Sequence, residues 1–142
     1  MLGISTTTVS NVINGKTSEV SQKTAEKVQK LLDEYDYVPN MNAKNLAQNH
    51  SRLIGIVLKR RKDKYENIFT DPFHGELLGA LEAAIRERGY YMMLYTSEDI
   101  DEIVRNVVSW NTEGLILIGM LHDDYLKIRG KYKKPAVLID SY

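Results

Sequence analysis

The sequence predicts an α/β fold in which a helical N-terminal segment leads into parallel βαβ units. Three observations point there. Nearly continuous apolar runs at residues 53–58, 115–118 and 136–139 read as strands buried on both faces. Stretches with helical spacing at residues 72–88, 100–110 and 123–130 alternate with them. Ahead of Leu53 the apolar residues recur at helical spacing only.

Residues 5–14 read as a short helix. Ser5 is its expected cap, because a serine oxygen accepts from a backbone N–H left free at a helix start. Val9, Val12 and Ile13 fall on one face, and Gly15 follows where a left-handed residue commonly closes a helix. Residues 15–20 form a polar loop. A second helix runs from its cap Ser21 to about residue 36. Ala25, Val28, Leu31, Leu32 and Tyr35 form its apolar stripe, and Gln22, Lys23, Glu26, Gln29 and Lys30 face water. Pro39 ends this unit, since the residue before a proline avoids helical geometry. Residues 40–49 form a third helix with little apolar surface: Met41, Ala43, Leu46 and Ala47. So short a helix is marginal in water and is expected to be disordered unless something holds it.

The pattern changes at Leu53. The first strand is followed by a helix with Phe73, Leu77, Leu78, Leu81, Ala84 and Ile85 on its apolar stripe, closed by Gly89. A strand at 91–95, a helix at 100–110, a strand at 115–118, a helix at 123–130 and a strand at 136–139 complete the order.

Net charge is zero, but it is unevenly spread. Residues 1–62 hold ten basic and five acidic side chains, and residues 63–142 hold nine and fourteen. A basic front half suggests a polyanionic partner, and chance clustering on a solvated surface is the alternative. Without cysteine the chain has no disulfides, thiolate metal sites or thiol nucleophile. No apolar run approaches the about 20 residues that span a bilayer. The N-terminus has no signal-peptide pattern, with Ser and Thr at residues 5–8, so a soluble cytoplasmic protein without membrane association is expected.

Longer motifs go further. The stretches GISTTTVSNVING, VSQKTAEKV, YVPNMNAKNLA and LIGIV occur in that order, followed more loosely by DPFHGELLGALEAAIRERGY, EGLILIG and PAVLID. In these the chain resembles the lactose/galactose repressor family of bacterial transcriptional regulators, over nearly its whole length. The resemblance implies three domains: a helix-turn-helix over residues 1–38, a hinge helix over 39–51, and one lobe of a periplasmic-binding-protein-like effector domain over 52–142. It also implies a sequence-specific regulator, a repressor of carbohydrate-related genes, that binds a double-stranded operator as a homodimer under control of a sugar or related metabolite.

By the same resemblance, the helix at residues 5–14 enters the major groove. Thr6, Thr7 and Asn11 point away from Val9, Val12 and Ile13 and are expected at base edges, where asparagine pairs with adenine N6 and N7. On periodicity alone a solvated outer face is the better reading of them. Ser5, Thr8, Ser10 and Asn14 are expected as phosphate contacts or caps, and Asn40 joins the DNA-binding set. Leu46 matches the family's minor-groove wedge, with Ala43 and Ala47 small enough for two hinges to approach. Packing against the following domain is the other reading of Leu46. Effector residues are expected beyond the carboxyl ends of the strands, at Asp71, Phe73, Thr96, Ser97, Asp140 and Ser141. Phe73 reads as a ring that packs on the effector or as a helix-start core residue. The run Lys59-Arg60-Arg61-Lys62 departs from the family spacing; it suits an anionic effector or, better, an exposed charge run.

The resemblance places one helix ahead of Leu2-Gly3 and a second lobe after Tyr142, so truncation at both ends is expected, with a loose DNA domain and weakened effector control. The alternative function is a small-ligand-binding lobe without working DNA binding. Catalysis, metal and cofactor are not expected. His50, His74 and His122 lack ligand spacing, and Asp71 and Glu76 beside His74 suit a helix start as well as an acid–base pair.

Overall fold

The computed structural model describes residues 3–61 and 67–140. It divides into two compact units, Met1–Asn49 and His50–Tyr142.

The first unit holds helices α1 (Thr6–Ile13), α2 (Gln22–Glu34) and α3 (Met41–Gln48). Each begins at a side-chain cap: Ser5 accepts from the Thr8 N–H, Ser21 from the Thr24 N–H, and Asn40 from the N–H groups of Asn42 and Ala43. Their ends close in a matching way. After α1, Gly15 takes φ +72°, and the N–H of Lys16 donates to the carbonyl of Asn11 at 2.8 Å. After α2, Asp36 takes φ 49°, and Tyr37 donates to the Leu32 carbonyl at 2.9 Å. That left-handed closure stops α2 at Glu34, ahead of the expected end near residue 36 and independently of Pro39. Tyr35, expected on the apolar stripe, lies beyond the last helical turn and is 80 % exposed. The segment expected to be disordered is an eight-residue helix, ended by Asn49 at φ 54°. The Gln48 amide donates to the Asn14 carbonyl at 3.4 Å and ties α3 to the end of α1. Among the described residues of this unit, Val28 alone is a buried apolar side chain.

In the second unit, strands β1 (Leu53–Lys59), β2 (Tyr91–Ser97), β3 (Gly114–Ile118) and β4 (Ala136–Ile139) form one parallel sheet in the order β2-β1-β3-β4. Helices α4 (Pro72–Glu87), α5 (Ile100–Ser109) and α6 (His122–Lys131) connect them. Side chains alternate between faces, as the two-residue period of a strand requires. Ile56, Leu58 and Ile118 pack with Leu78 and Ile85 of α4. Val57, Leu115 and Leu117 pack on the other face with Ile103 and Val107 of α5 and Ile128 of α6. Both faces are therefore covered, which is why these strands carry so few polar residues. Gly55 sits where a Cβ would come within 2.6 Å of Leu115 Cδ2, so the close approach of β1 and β3 requires a glycine or a shifted leucine.

Strand β2 runs to Ser97 rather than to the expected residue 95, because its ladder with β1 continues through Leu58↔Thr96 and Lys59↔Ser97. A polar cluster anchors that end. Tyr95 and Ser97 both donate to the Glu102 carboxylate, at 2.8 and 2.5 Å, and the Asn106 amide donates to the Tyr95 oxygen at 2.9 Å. The hydroxyls of Ser97 and Tyr95 hold the Glu102 carboxyl below its usual range, and the bond to Glu102 raises the Tyr95 phenol.

Two outcomes are expected. A unit with one buried apolar side chain opens easily, so amides of α1 to α3 should exchange with deuterium much faster than those of β1 and β3; equal protection would contradict this packing. Glu102 has a depressed folded pKa, so its contribution is present above the unfolded value of 4.5 and lost as pH falls through the folded value. Urea melts of the second unit should lose stability below pH 4.5 more steeply in the parent than in Glu102→Gln.

Candidate functional site

Helix α1 is only eight residues long, and its faces divide the work. Val9 and Ile13 line a groove of about 410 Å³ together with Ile4, Tyr37, Ala43 and Ala47. Thr7 and Asn11 do not line it; Thr7 is exposed and Asn11 half-buried. Thr6, expected with them, lies on the flank of Val9, Ser10 and Ile13 and also lines the groove. The helical turn of 100° per residue puts position 6 beside position 13 and away from position 11.

The expected phosphate contacts are engaged locally. Ser5 caps α1 and its hydroxyl lies 2.9 Å from that of Thr8. The Asn14 amide donates to the Ser10 hydroxyl at 3.2 Å. Asn40 spends its side-chain oxygen on the start of α3. Leu46 is 84 % exposed on α3, so packing against a neighbouring element of its own unit does not hold it.

One residue escaped the sequence reading. The chain reverses at Gly15 and passes through a 3-10 turn at Thr17–Glu19, which brings the Glu19 carboxylate to the Asn11 amide. Asn11 Nδ2 donates to Glu19 Oε2 at 3.3 Å. Spacing alone gave no sign of it, since eight residues and a turn of unknown geometry separate the two.

The charge reading needs correcting as well. The first unit, through Asn49, carries five lysines against five acidic residues and no arginine, a net of zero. The basic excess of the front half comes from Arg52 and the run at residues 59–62, which belong to the second unit.

The second unit has its own functional edge. The strand order reverses between β1 and β3, and the helices that follow these two strands lie on opposite faces. A crevice opens at such a point beyond the carboxyl ends of the strands. Asp71 caps α4 through the Phe73 N–H at 3.0 Å and accepts from His74 Nδ1 at 2.7 Å. This cap and hydrogen bond place Asp71, His74 and Glu76 at a helix start. Phe73 is 55 % exposed and so is not a core residue, and its ring meets that of His74 edge-on at 5.6 Å. Thr96 and the buried Ser97 end β2, and Asp140 follows β4 with φ 52°. Ser141 lies outside the described residues.

Lys59 departs from the exposed run expected at 59–62. It ends β1 at the reversal point, and its ammonium bonds Asp124 of α6 at 2.5 Å, with side chains 23 % and 8 % exposed. Arg60 and Arg61 are exposed, and Lys62 lies outside the described residues. His50 Nδ1 donates to the Glu113 carboxylate 2.5 Å away, and His122 opens α6.

Comparison with known proteins places this geometry. Residues 2–40 match the model for bacterial regulatory proteins of the lacI family. The chain is 29 % identical to the HTH-type transcriptional regulator PtxS of Pseudomonas aeruginosa, over 97 % of this chain and 39 % of that one. It is 32 % identical to the ribose operon repressor of Escherichia coli, over 99 % and 42 %. Its fold matches the lac repressor dimer bound to operator and the anti-inducer ONPF, with TM-score 0.80 and 25 % identity over 99 % of this chain and 42 % of that one. The chain thus spans about two fifths of the length of the curated relatives it matches. In residues 2–40, which hold the α1–α2 pair, the chain matches the lacI family of bacterial regulatory proteins, and over nearly all its length it shares sequence and fold with repressors of that kind.

Proposed function

We propose that this chain carries the DNA-reading unit and one ligand-sensing lobe of a cytoplasmic transcriptional repressor of carbohydrate-related genes. The repressor acts as a homodimer on a near-palindromic double-stranded operator. The observation that carries the reading is the outer face of α1: a helix capped at its start and closed by Gly15, with Thr7 exposed and Asn11 half-buried against Glu19, its amide oxygen and second amide hydrogen uncommitted. Such a helix fits the major groove, where side-chain amides and hydroxyls meet base edges. Ser5, Thr8, Ser10, Asn14 and Asn40 then set its register by local bonds and phosphate contacts. Thr6 contributes from the flank of the helix. Exposed Leu46 is the wedge for a central base step in the minor groove. The effector, a sugar or related metabolite, sits at the carboxyl edge of the sheet near Asp71, Phe73, Thr96 and Asp140. The reading assigns no catalytic step, metal or cofactor.

The neutral charge of the first unit favours a second reading, a ligand-binding lobe whose DNA contacts are too weak to regulate. Selection of the full chain on randomised duplexes at about 100 mM salt separates the two. The proposed function expects an enriched palindromic site. It also expects Asn11→Ala to relax one base pair of each half-site by about 1–3 kcal/mol, the range of a bidentate contact. A uniform loss on all sequences would make Asn11 a phosphate contact. No enrichment, with calorimetric binding of a sugar, would favour the second reading.

A further inference from the structure

We infer that Glu19 is a specificity-determining residue: it fixes the side-chain amide of Asn11 so that α1 accepts adenine and refuses guanine at one position. This rests on the proposed reading of DNA by α1.

The chemistry starts from what each group can do. An ionised carboxylate only accepts hydrogen bonds, and an asparagine amide has a donating NH₂ end and an accepting oxygen. With Glu19 Oε2 placed 3.3 Å from Nδ2, the NH₂ end must face Glu19. The reversed orientation would set the amide oxygen against a carboxylate. The amide of a lone exposed asparagine turns freely between the two orientations; here one is selected.

Selection also changes the inventory. One Nδ2 hydrogen is spent on Glu19, which leaves one donor hydrogen and the Oδ1 acceptor. Adenine shows one acceptor, N7, and one donor, the N6 amino group, in the major groove. The remaining pair on Asn11 matches it. Guanine shows two acceptors, N7 and O6, and needs two donors. Asn11 cannot supply the second without giving up Glu19, and its oxygen would face a guanine acceptor.

The backbone makes this arrangement possible. Gly15 at φ +72° lets the chain reverse directly after α1, and the bond from Lys16 N–H to the Asn11 carbonyl fixes the turn. The 3-10 turn at Thr17–Glu19 then delivers the carboxylate back to the reading face.

Glu19 has a competing role that must be told apart. A negative charge near DNA repels phosphates and weakens binding on every sequence alike. Two variants separate the roles, since glutamine keeps an accepting oxygen for Nδ2 and loses the charge. The full chain and its Glu19→Ala, Glu19→Gln, Asn11→Ala and double Glu19→Ala/Asn11→Ala forms are selected on the randomised duplex library. At the position that Asn11→Ala relaxes, Glu19→Ala should lower the preference for adenine over guanine by about tenfold. Glu19→Gln should largely keep that preference, and Glu19→Ala should change nothing further at that position in the Asn11→Ala background. A uniform gain in affinity with unchanged preference in both Glu19 variants overturns the inference and leaves Glu19 a repelling charge. An effect of Glu19→Ala that persists without Asn11 overturns it too. If the parent chain enriches no site at all, the DNA-reading function itself fails and this inference with it.

Discussion

Every helix begins with backbone N–H groups that its own ladder cannot satisfy, and this requirement organises both units. Ser5, Ser21 and Asn40 meet it in the first unit, and Asp71 and Asp99 in the second. The first unit depends on it most, because Val28 is its one buried apolar side chain among the described residues. With so little burial, capping at about 1 kcal/mol per helix is a large share of what holds three short helices in shape. The same requirement takes side-chain atoms out of circulation. The Asn40 oxygen caps Asn42 and Ala43, and a phosphate, itself an acceptor, could be met only by its NH₂ end. Caps set the helix in place, and the residues between caps are left to read.

In the second unit the complementary constraint is burial on both faces. A parallel strand covered on each side cannot hold polar side chains along its length, so polar chemistry collects at the ends. Glu102, with Tyr95 and Ser97, closes the end of β2, and Lys59 with Asp124 closes the point where strand order reverses. Asp124 sits in the first turn of α6, where a carboxylate also gains from the positive end of the helix dipole. An ammonium and a carboxylate so placed neutralise each other at the crevice. The edge then keeps Asp71, Asp140 and Arg60 beside Thr96 and Phe73.

Elements with strong periodicity were legible in the sequence. The four strands and six helices occur in the expected order, because apolar runs of four to six residues and helical stripes are direct consequences of what each element buries. Errors fell where local bonding overrides pattern. Asp36 entered the left-handed region and stopped α2 early, although aspartate carries no reliable mark for it. Ladder partners on β1 carried β2 past Tyr95 to Ser97. Side-chain faces were legible to within about one helical position, which was enough to misplace Thr6. Pairs brought together by turns, Asn11 with Glu19 and Lys59 with Asp124, were not legible, since their proximity follows from loop and topology and not from spacing.

The distribution of charge bears on how a repressor built on this unit must work. Phosphate contacts supply affinity that does not depend on sequence, through released counterions. A reading unit with five lysines, five acids and no arginine has little of that to offer. On the proposed function, its hold on DNA would come chiefly from hydrogen bonds at base edges, each of which contributes only where the base is right. One half-site read in this way is too weak to stand alone. Two units joined by symmetry turn the second contact into an intramolecular event, so that modest half-site affinities multiply. On the proposed function, the neutral charge of the first unit is therefore a physical reason for a dimer and a palindrome: with little help from phosphates, α1 would discriminate between sequences, and a second copy would provide the strength that discrimination alone lacks.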